Sequence, residues 1–398
     1  MQNCRVSGKP LHLINDFGDQ PLGNGFIESK NIDKEYFYNM RTGFCEESKM
    51  FQLIEQPEPS KMFHENYAFF SSTSNYMKEH FKNFYSYVSN SGYLSKNPFI
   101  VELGCNDGIL IKNFKENDYS HLGIEPSKNV AKIAKDTGIN ILEKFFDIDC
   151  SNLVKNEYGS ADAILAANVI CHIPDILELA EGVKNLLKPS GVMVFEEPYL
   201  GDVIKKTSYD QIYDEHVFLF SAISVQHLFN KVGMELIDLI PQTTHGGSMR
   251  YVLANKNQYE IKRSVREIIK KELKQGLDKL ETFERFNQDV ILSKSKLLKL
   301  LKELKKNGKK VVGYAATSKS TTILNYCGIN NDLIEYIYDT TPLKIGKLTP
   351  GSHIPLRDHK FFKNDMPEYA VLFAWNHADE IIEKEKLFSS NGGKWIFF

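Results

Sequence analysis

Between residues 75 and 255, short apolar runs alternate with helical segments, and this alternation limits the fold more than any other feature of the chain. Strand-like runs fall at 98–103, 120–125, 139–143, 162–167 and 191–196. Helical spacing appears at 77–88, 127–137 and 175–187. Strands separated by helices imply a parallel α/β sheet covered on both faces. Two further runs, 234–240 and 249–254, sit close together and read as a terminal antiparallel pair. Residues 256–308 are rich in Lys and Glu, with Ile, Leu and Val at helical spacing. They read as two long amphipathic helices forming a packed linker with its lysines on a solvated face. A second α/β pattern restarts at 309–398, with strands expected at 310–314, 333–338, 369–374 and 394–398.

The first 70 residues lack clear periodicity and are rich in Gly, Asn and Pro. They hold two half-motifs, Cys4-Arg5-Val6-Ser7 and Cys45-Glu46-Glu47-Ser48. Each would be a zinc knuckle if its last residue were Cys. A neutral hydroxyl is a poor zinc ligand, so a metal-free remnant of a zinc-ribbon fold is expected. The division expected is therefore 1–70, 71–255, 256–308 and 309–398. A chain of 398 residues accommodates two or three domains of ordinary size. Its net charge of −2 disfavours a nucleic-acid partner. Six scattered cysteines suggest reduced thiols rather than a disulfide framework. The start MQNCRVSGKP has no apolar signal core, and no apolar run approaches the roughly 20 residues of a membrane span. A cytoplasmic enzyme is expected.

The run Val101-Glu102-Leu103 ends in Gly104-Cys105-Asn106-Asp107-Gly108. A strand feeding a glycine turn into a helix brings backbone N–H groups close to a ligand. Asn106 stands where a dinucleotide fingerprint has its second glycine, which weakens a nicotinamide reading. A sulfonium ligand needs no phosphate loop and gains from carboxylates such as Glu102 and Asp107. The next strand ends in Glu125-Pro126, where an acid can accept from both hydroxyls of a ribose. Asn168 closes the fourth strand, at the same sheet edge. Together these residues read as a cradle for S-adenosylmethionine.

The segment Tyr209 to Phe220 follows the fifth strand and contains Tyr213-Asp214-Glu215-His216. A histidine with an ordinary pKa near 6.5 is suited to accept a proton at neutral pH. Glu215 can orient a neighbour, and Tyr213 can donate to a developing oxyanion. His172 reads equally as a pocket contact or as the cap of the helix begun by Pro174. Tyr67, by spacing alone, reads as a core aromatic. Thr317, Ser318 and Lys319 follow a strand and open a helix, a natural place for diphosphate oxygens. His353, Trp375 and Asn376 are further candidate base or sugar contacts.

Several segments resemble the sugar C-methyltransferases of deoxysugar biosynthesis, of the tylosin-mycarose and kijanose C-3 type. They are MFHENYAFFSS, FIVELGCNDG, GIEPS, AANVICHIPD, EEPYLGD, SYDQIYDEHVFLFS, HGGSMRY, GYAATSKS, NYCGI, YDTTPLKIGKLTPG and LFAWNHADEI. They run in order nearly end to end. The resemblance implies a small, usually zinc-binding first domain, a class I S-adenosylmethionine methyltransferase domain and a C-terminal Rossmann-like domain. It implies a nucleotide-linked 4-keto-deoxysugar substrate carrying dTDP, CDP or GDP. It assigns the general base to His216, its companions to Tyr213 and Glu215, and further active-site roles to His172 and Tyr67. Ser7 and Ser48 depart from its four cysteines, and Ala315 stands where a second glycine is common. The implied reaction removes the acidic proton beside a ketone and methylates the resulting enolate at C-3. Methylation at C-5, or at a sugar oxygen, is the alternative reading. A monomer is expected.

Overall fold

The computed structural model describes residues 2–62 and 75–398, so Tyr67 lies outside the described residues. The first sheet takes β1 (His12–Pro21), β2 (Phe37–Phe44) and β3 (Phe51–Leu53) in antiparallel order. The central sheet begins with β4 (Phe99–Leu103), β5 (Ser120–Ile124), β6 (Ile141–Leu142), β7 (Ala161–Ala167) and β8 (Leu187–Pro198), all parallel. A short β9 (Phe218–Leu219) leaves this run and pairs with β3, so the segment after Tyr213 is stitched to the first sheet. β10 (Met234–Gln242) and β11 (Ser248–Asn255) form the expected antiparallel pair, with β11 beside β8. The order β10-β11-β8-β7-β4-β5-β6 is that of a class I methyltransferase sheet.

Every residue of β4 is buried, as are six of the seven in β7. Strands covered on both faces need continuous rather than alternating apolar sequence, which is why these two were readable. The C-terminal sheet, in the order β14-β13-β12-β15-β16, is parallel throughout. Its strands are β12 (Val311–Tyr314), β13 (Ile337–Asp339), β14 (Leu356–Asp358), β15 (Tyr369–Leu372) and β16 (Lys394–Ile396). Residues 333–336 lie before β13 rather than within it, because the chain turns after Cys327 through Asn330, whose carbonyl accepts from Leu333 and Ile334.

The helices Arg263–Gln275 and Leu280–Lys306 fall where two were expected, but the second does more than link. Phe283 stacks on Phe44 with ring centroids 4.1 Å apart and on Phe51 at 5.4 Å. Phe286, Val290, Leu297 and Leu301 join one core with Ile14 and Met40 of the first sheet and Ile323 and Ile337 of the C-terminal unit. Each buried side chain of this size contributes about 1.5–3 kcal/mol, against a few tenths for an exposed helical ion pair. Packing therefore fixes this helix between two sheets. Among the described residues no helix is long and apolar enough to cross a membrane.

The four positions of the zinc half-motifs meet, but they pair with one another. Cys4 Sγ lies 3.1 Å from Ser48 Oγ, and Ser7 Oγ lies 3.2 Å from Cys45 Sγ. Two thiols and two neutral hydroxyls are a poor structural zinc set, and each thiol stands within hydrogen-bond reach of a hydroxyl across the two loops. Metal analysis of the purified protein should find no stoichiometric zinc. The Ser7→Cys/Ser48→Cys double variant should bind about one zinc per chain. Tightly held zinc in the unaltered protein would contradict this.

Candidate active site

β4 leads into Gly104, whose φ is +60°. A Cβ there would overlap Val169 Cγ2, and one at Gly108 would overlap Ile139 Cδ1. Glycine is thus required at the turn both by its left-handed backbone and by close packing. The Asn106 N–H donates to Glu125 Oε2 at 2.9 Å, and the Ser127 N–H donates to Glu125 Oε1 at 2.8 Å. Burial raises the Glu125 carboxyl above its ordinary range, although both amides favour the carboxylate. Burial likewise holds the Glu102 carboxyl well above its usual value, and its Oε2 meets no hydrogen-bond partner among the described residues. Asp107 is buried beside them, and Pro126 follows Glu125 into the next helix. A glycine cradle ringed by carboxyls suits a ligand with hydroxyls and positive charge, as S-adenosylmethionine has. It does not suit a pyrophosphate.

The turn after β7 covers that cradle. Asn168 sits at φ +56°, and its N–H donates to the Glu196 carbonyl at 2.9 Å. The N–H groups of Val169 and Cys171 both donate to Glu197 Oε1, at 2.9 and 3.1 Å. Glu197 is fully buried, and burial pushes its carboxyl up to about 7. Val169 packs on Gly104, and three residues later His172 faces His216, with ring centroids 5.4 Å apart. The turn at 168–172 therefore joins the cofactor cradle to the candidate base.

His216 is held at both nitrogens. Nδ1 lies 2.8 Å from the Gln211 carbonyl, and Nε2 lies 2.8 Å from the Tyr213 hydroxyl. A carbonyl can only accept, so Nδ1 carries the hydrogen and Nε2 presents its lone pair. Burial drives the His216 pKa well below the usual histidine range, and His172 and Lys319 add to the shift. Burial alone lowers His172 to about 3. Both rings are thus neutral at physiological pH, the form a base requires.

Around this pair the structure gathers groups that the sequence reading did not single out. Asn168 Nδ2 lies 3.1 Å from His245 Nε2, and the His245 carbonyl accepts from Gln211 Nε2 at 2.6 Å. His245 stood in the sequence only as the first residue of the segment HGGSMRY, with no role assigned to it. Residues Gly23 and Asn24 reach Asp214 and Glu215 from the first sheet's side, with hydrogen bonds of 3.0 and 2.8 Å. Their sequence signal was no more than Gly-Asn-Gly at 23–25.

The C-terminal candidates divide. Thr317 caps the helix Ser318–Cys327 by accepting from the Ser320 N–H. Ser318 Oγ donates to Asn24 Oδ1 at 3.0 Å. Lys319 makes no ion pair among the described residues, and burial lowers its pKa, with Asp210 opposing. Its charge acts on His216, His245 and His377 together, which places it toward the histidine cluster. Trp375 donates its indole N–H to Asp210 Oδ2 at 2.7 Å and lies against Gly246. Asn376 sits in the same short turn, half-buried. His353 is differently placed, with its Nε2 2.7 Å from Glu35 of the N-terminal unit. The two make an ion pair when the imidazole is protonated. No contact joins His353 to the His216 cluster among the described residues, so it reads better as a tie between units than as a sugar contact. Ala315 stands at φ +66°, a conformation costing a non-glycine residue about 1–2 kcal/mol. That is why a glycine suits the position.

The chain has relatives among known proteins. Residues 243–398 match the family model described as C-methyltransferase C-terminal domain, residues 75–239 match methyltransferase domain, and residues 4–63 match putative zinc binding domain. The chain is 30% identical over 399 aligned residues to C-methyltransferase NovU of Streptomyces niveus, covering 100% of this chain and 95% of that protein. It is 29% identical over 112 residues to a ubiquinone biosynthesis O-methyltransferase of Colwellia psychrerythraea, covering 26% of this chain and 45% of that one. Magnesium protoporphyrin IX methyltransferase of Synechocystis, solved with bound S-adenosylmethionine, aligns at 9% identity and a TM-score of 0.35 over 45% of this chain and 79% of that chain.

Proposed function

The chain belongs to the C-methyltransferase family and depends on S-adenosylmethionine, and from that premise we propose that it methylates C-3 of a nucleotide-linked 4-keto-deoxysugar. The observation that carries this reading is the buried, neutral His216 imidazole, one turn of chain away from the glycine cradle. A methyltransferase acting on oxygen or nitrogen meets a lone pair already present. Carbon beside a ketone has none until a proton leaves, so an unprotonated base, held in place beside the methyl donor, is required.

When bound, S-adenosylmethionine supplies an electrophilic methyl group. Glu125 would hold its ribose hydroxyls, and the backbone of 104–108 would receive its body. His216 Nε2 takes the proton from the sugar carbon, while the Gln211 carbonyl holds Nδ1–H and so fixes the ring. Tyr213 turns its hydroxyl from Nε2 to the C-4 oxygen as charge develops there, and one such preorganised donor supplies about 3–4 kcal/mol. His172 lines the sugar beside it. Thr317, Ser318 and Lys319 receive the diphosphate, with Trp375 and Asn376 at the edge of the same crevice. The ketone acidifies both C-3 and C-5, and the facing of His216 decides between them.

The test uses purified protein with S-adenosylmethionine and a panel of dTDP-, CDP- and GDP-linked 4-ketosugars. Mass spectrometry should show one sugar gaining a methylene unit, and NMR of the product should place a new C–C bond at C-3. A C-5 product would move the site of attack. Methylation of a 4-hydroxy analogue at oxygen would replace the reading with an O-methyltransferase.

A further inference from the structure

Residues Leu22 to Gly25 leave the first sheet after β1 and wedge between the 212–216 segment and the helix Ser318–Cys327. Gly23 donates its N–H to Asp214 Oδ1 at 3.0 Å, and its carbonyl accepts from Thr321 Oγ1 at 2.9 Å. A Cβ at Gly23 would stand 2.7 Å from Asp214 Oδ1 and 3.3 Å from Ser318 Cβ, so only glycine lets the loop in so closely. Asn24 then uses both ends of its amide. Nδ2 lies 2.8 Å from Glu215 Oε1, and Oδ1 lies 3.0 Å from Ser318 Oγ. The assignment of the two ends follows from chemistry: a carboxylate needs a donor, which turns the NH2 toward Glu215 and the carbonyl toward the serine. Glu215 is buried, 4% exposed, where a hydrogen bond to a charged group is worth most.

We propose that Asn24 is a positioning residue that fixes Glu215 beside His216 and ties it to Ser318 at the mouth of the C-terminal helix. Its side chain contacts Glu215 and Ser318 and acts through them. It brings the amino-terminal unit into the catalytic segment, so three regions far apart in the chain set one carboxylate. Thr322 Oγ1, donating to the Ile212 carbonyl at 2.7 Å, closes the same seam from the helix side. The role in turnover rests on the ketosugar reading above, whereas the pairing of Asn24 with Glu215 does not.

The test compares Asn24→Asp with Asn24→Ala. Asn24→Asp keeps the shape but sets a second carboxylate against Glu215. Displacement of a supporting group by about 1 Å commonly costs about a hundredfold, and kcat at pH 8 should fall by that order with KM little changed. Two carboxylates sharing a site raise the pKa of one of them. A shared proton restores a donor at lower pH, so Asn24→Asp should regain part of its kcat between pH 8 and pH 6, and Asn24→Ala should not. Wild-type kcat in both variants at pH 8 would overturn the proposal. A double-mutant cycle on unfolding, with Asn24→Ala, Glu215→Ala and the double variant, reads the pair without any substrate. Non-additive unfolding constants are expected, and strict additivity would overturn the pairing. If the wild-type protein methylates no ketosugar, the functional reading fails, while the cycle still decides the pair.

Discussion

His216→Asn is expected to keep its fold and its affinity for S-adenosylmethionine while losing methyl transfer by about 10²–10⁴-fold, the usual contribution of a positioned base. The fold is retained because the substitution removes few contacts: the Nε2 bond to Tyr213 and the ring face against His172. A single such hydrogen bond is worth about 1 kcal/mol of stability. The loss in rate is larger because asparagine has no basic nitrogen to take a proton from carbon. The pH dependence follows from the same geometry. Burial lowers the His216 pKa well below the usual value, so the base stays unprotonated as pH falls from 8 toward 6. The wild-type rate should show no loss near pH 6.5 from this ring. An acid limb at 6.5 that vanishes in the variant would show that the imidazole titrates like an exposed one. Calorimetry with S-adenosylhomocysteine and the rate of methyl transfer to the 4-ketosugar check the two halves of the prediction.

Gly104→Ala is expected to remove cofactor binding and to destabilise the central sheet, whereas Gly328→Ala should cost far less. Both glycines have left-handed φ, +60° and +64°, so both substitutions carry the backbone penalty of about 1–2 kcal/mol. They differ in what the new methyl meets. At Gly328 it meets nothing within 4 Å. At Gly104 it overlaps the Val169 side chain, and Val169 cannot retreat freely because its N–H is bound to Glu197. Overpacking of this kind adds about 1–3 kcal/mol. The displaced turn also carries Asn168 and His172, so affinity for S-adenosylhomocysteine should fall about a hundredfold or more. Binding calorimetry beside denaturant unfolding of both variants reads the contrast. Equal effects from the two substitutions would mean that the turn at 168–172 does not lean on the cradle.

The central sheet could be read from the chain because doubly covered strands leave a continuous apolar record, as in Ile100-Val101 and Ile164-Leu165. The first sheet could not. β1 carries Asn15, Asp16, Gly18 and Asp19 and breaks register twice against β2, so no alternation survives in its sequence. The long charged helices hid a different feature. Lys270, Lys271 and Lys274 are exposed as charge patterning suggests, yet Glu272 among them is buried and accepts from the N–H groups of Ala222 and Ile223. Local pattern cannot announce a carboxylate whose partners lie about fifty residues away. The same limit applies to the active site. His216, Tyr213 and the glycine turn could be proposed from the chain because each belongs to a short local motif. Asn24 is not, since its partners stand 191 and 294 residues distant. For His353 the sequence hid the partner: its chemical type suggested a ligand contact, and the fold sets its nitrogen 2.7 Å from Glu35.

Proton exchange from the sugar tests the account most directly. With S-adenosylhomocysteine bound, methyl transfer is blocked while the base remains in place. In D2O the wild-type protein should exchange a hydrogen on the carbon beside the ketone of its nucleotide sugar, followed by NMR, and His216→Asn should not. No exchange by the wild-type protein, or equal exchange by the variant, would contradict the claim that His216 opens the reaction by taking a proton from carbon.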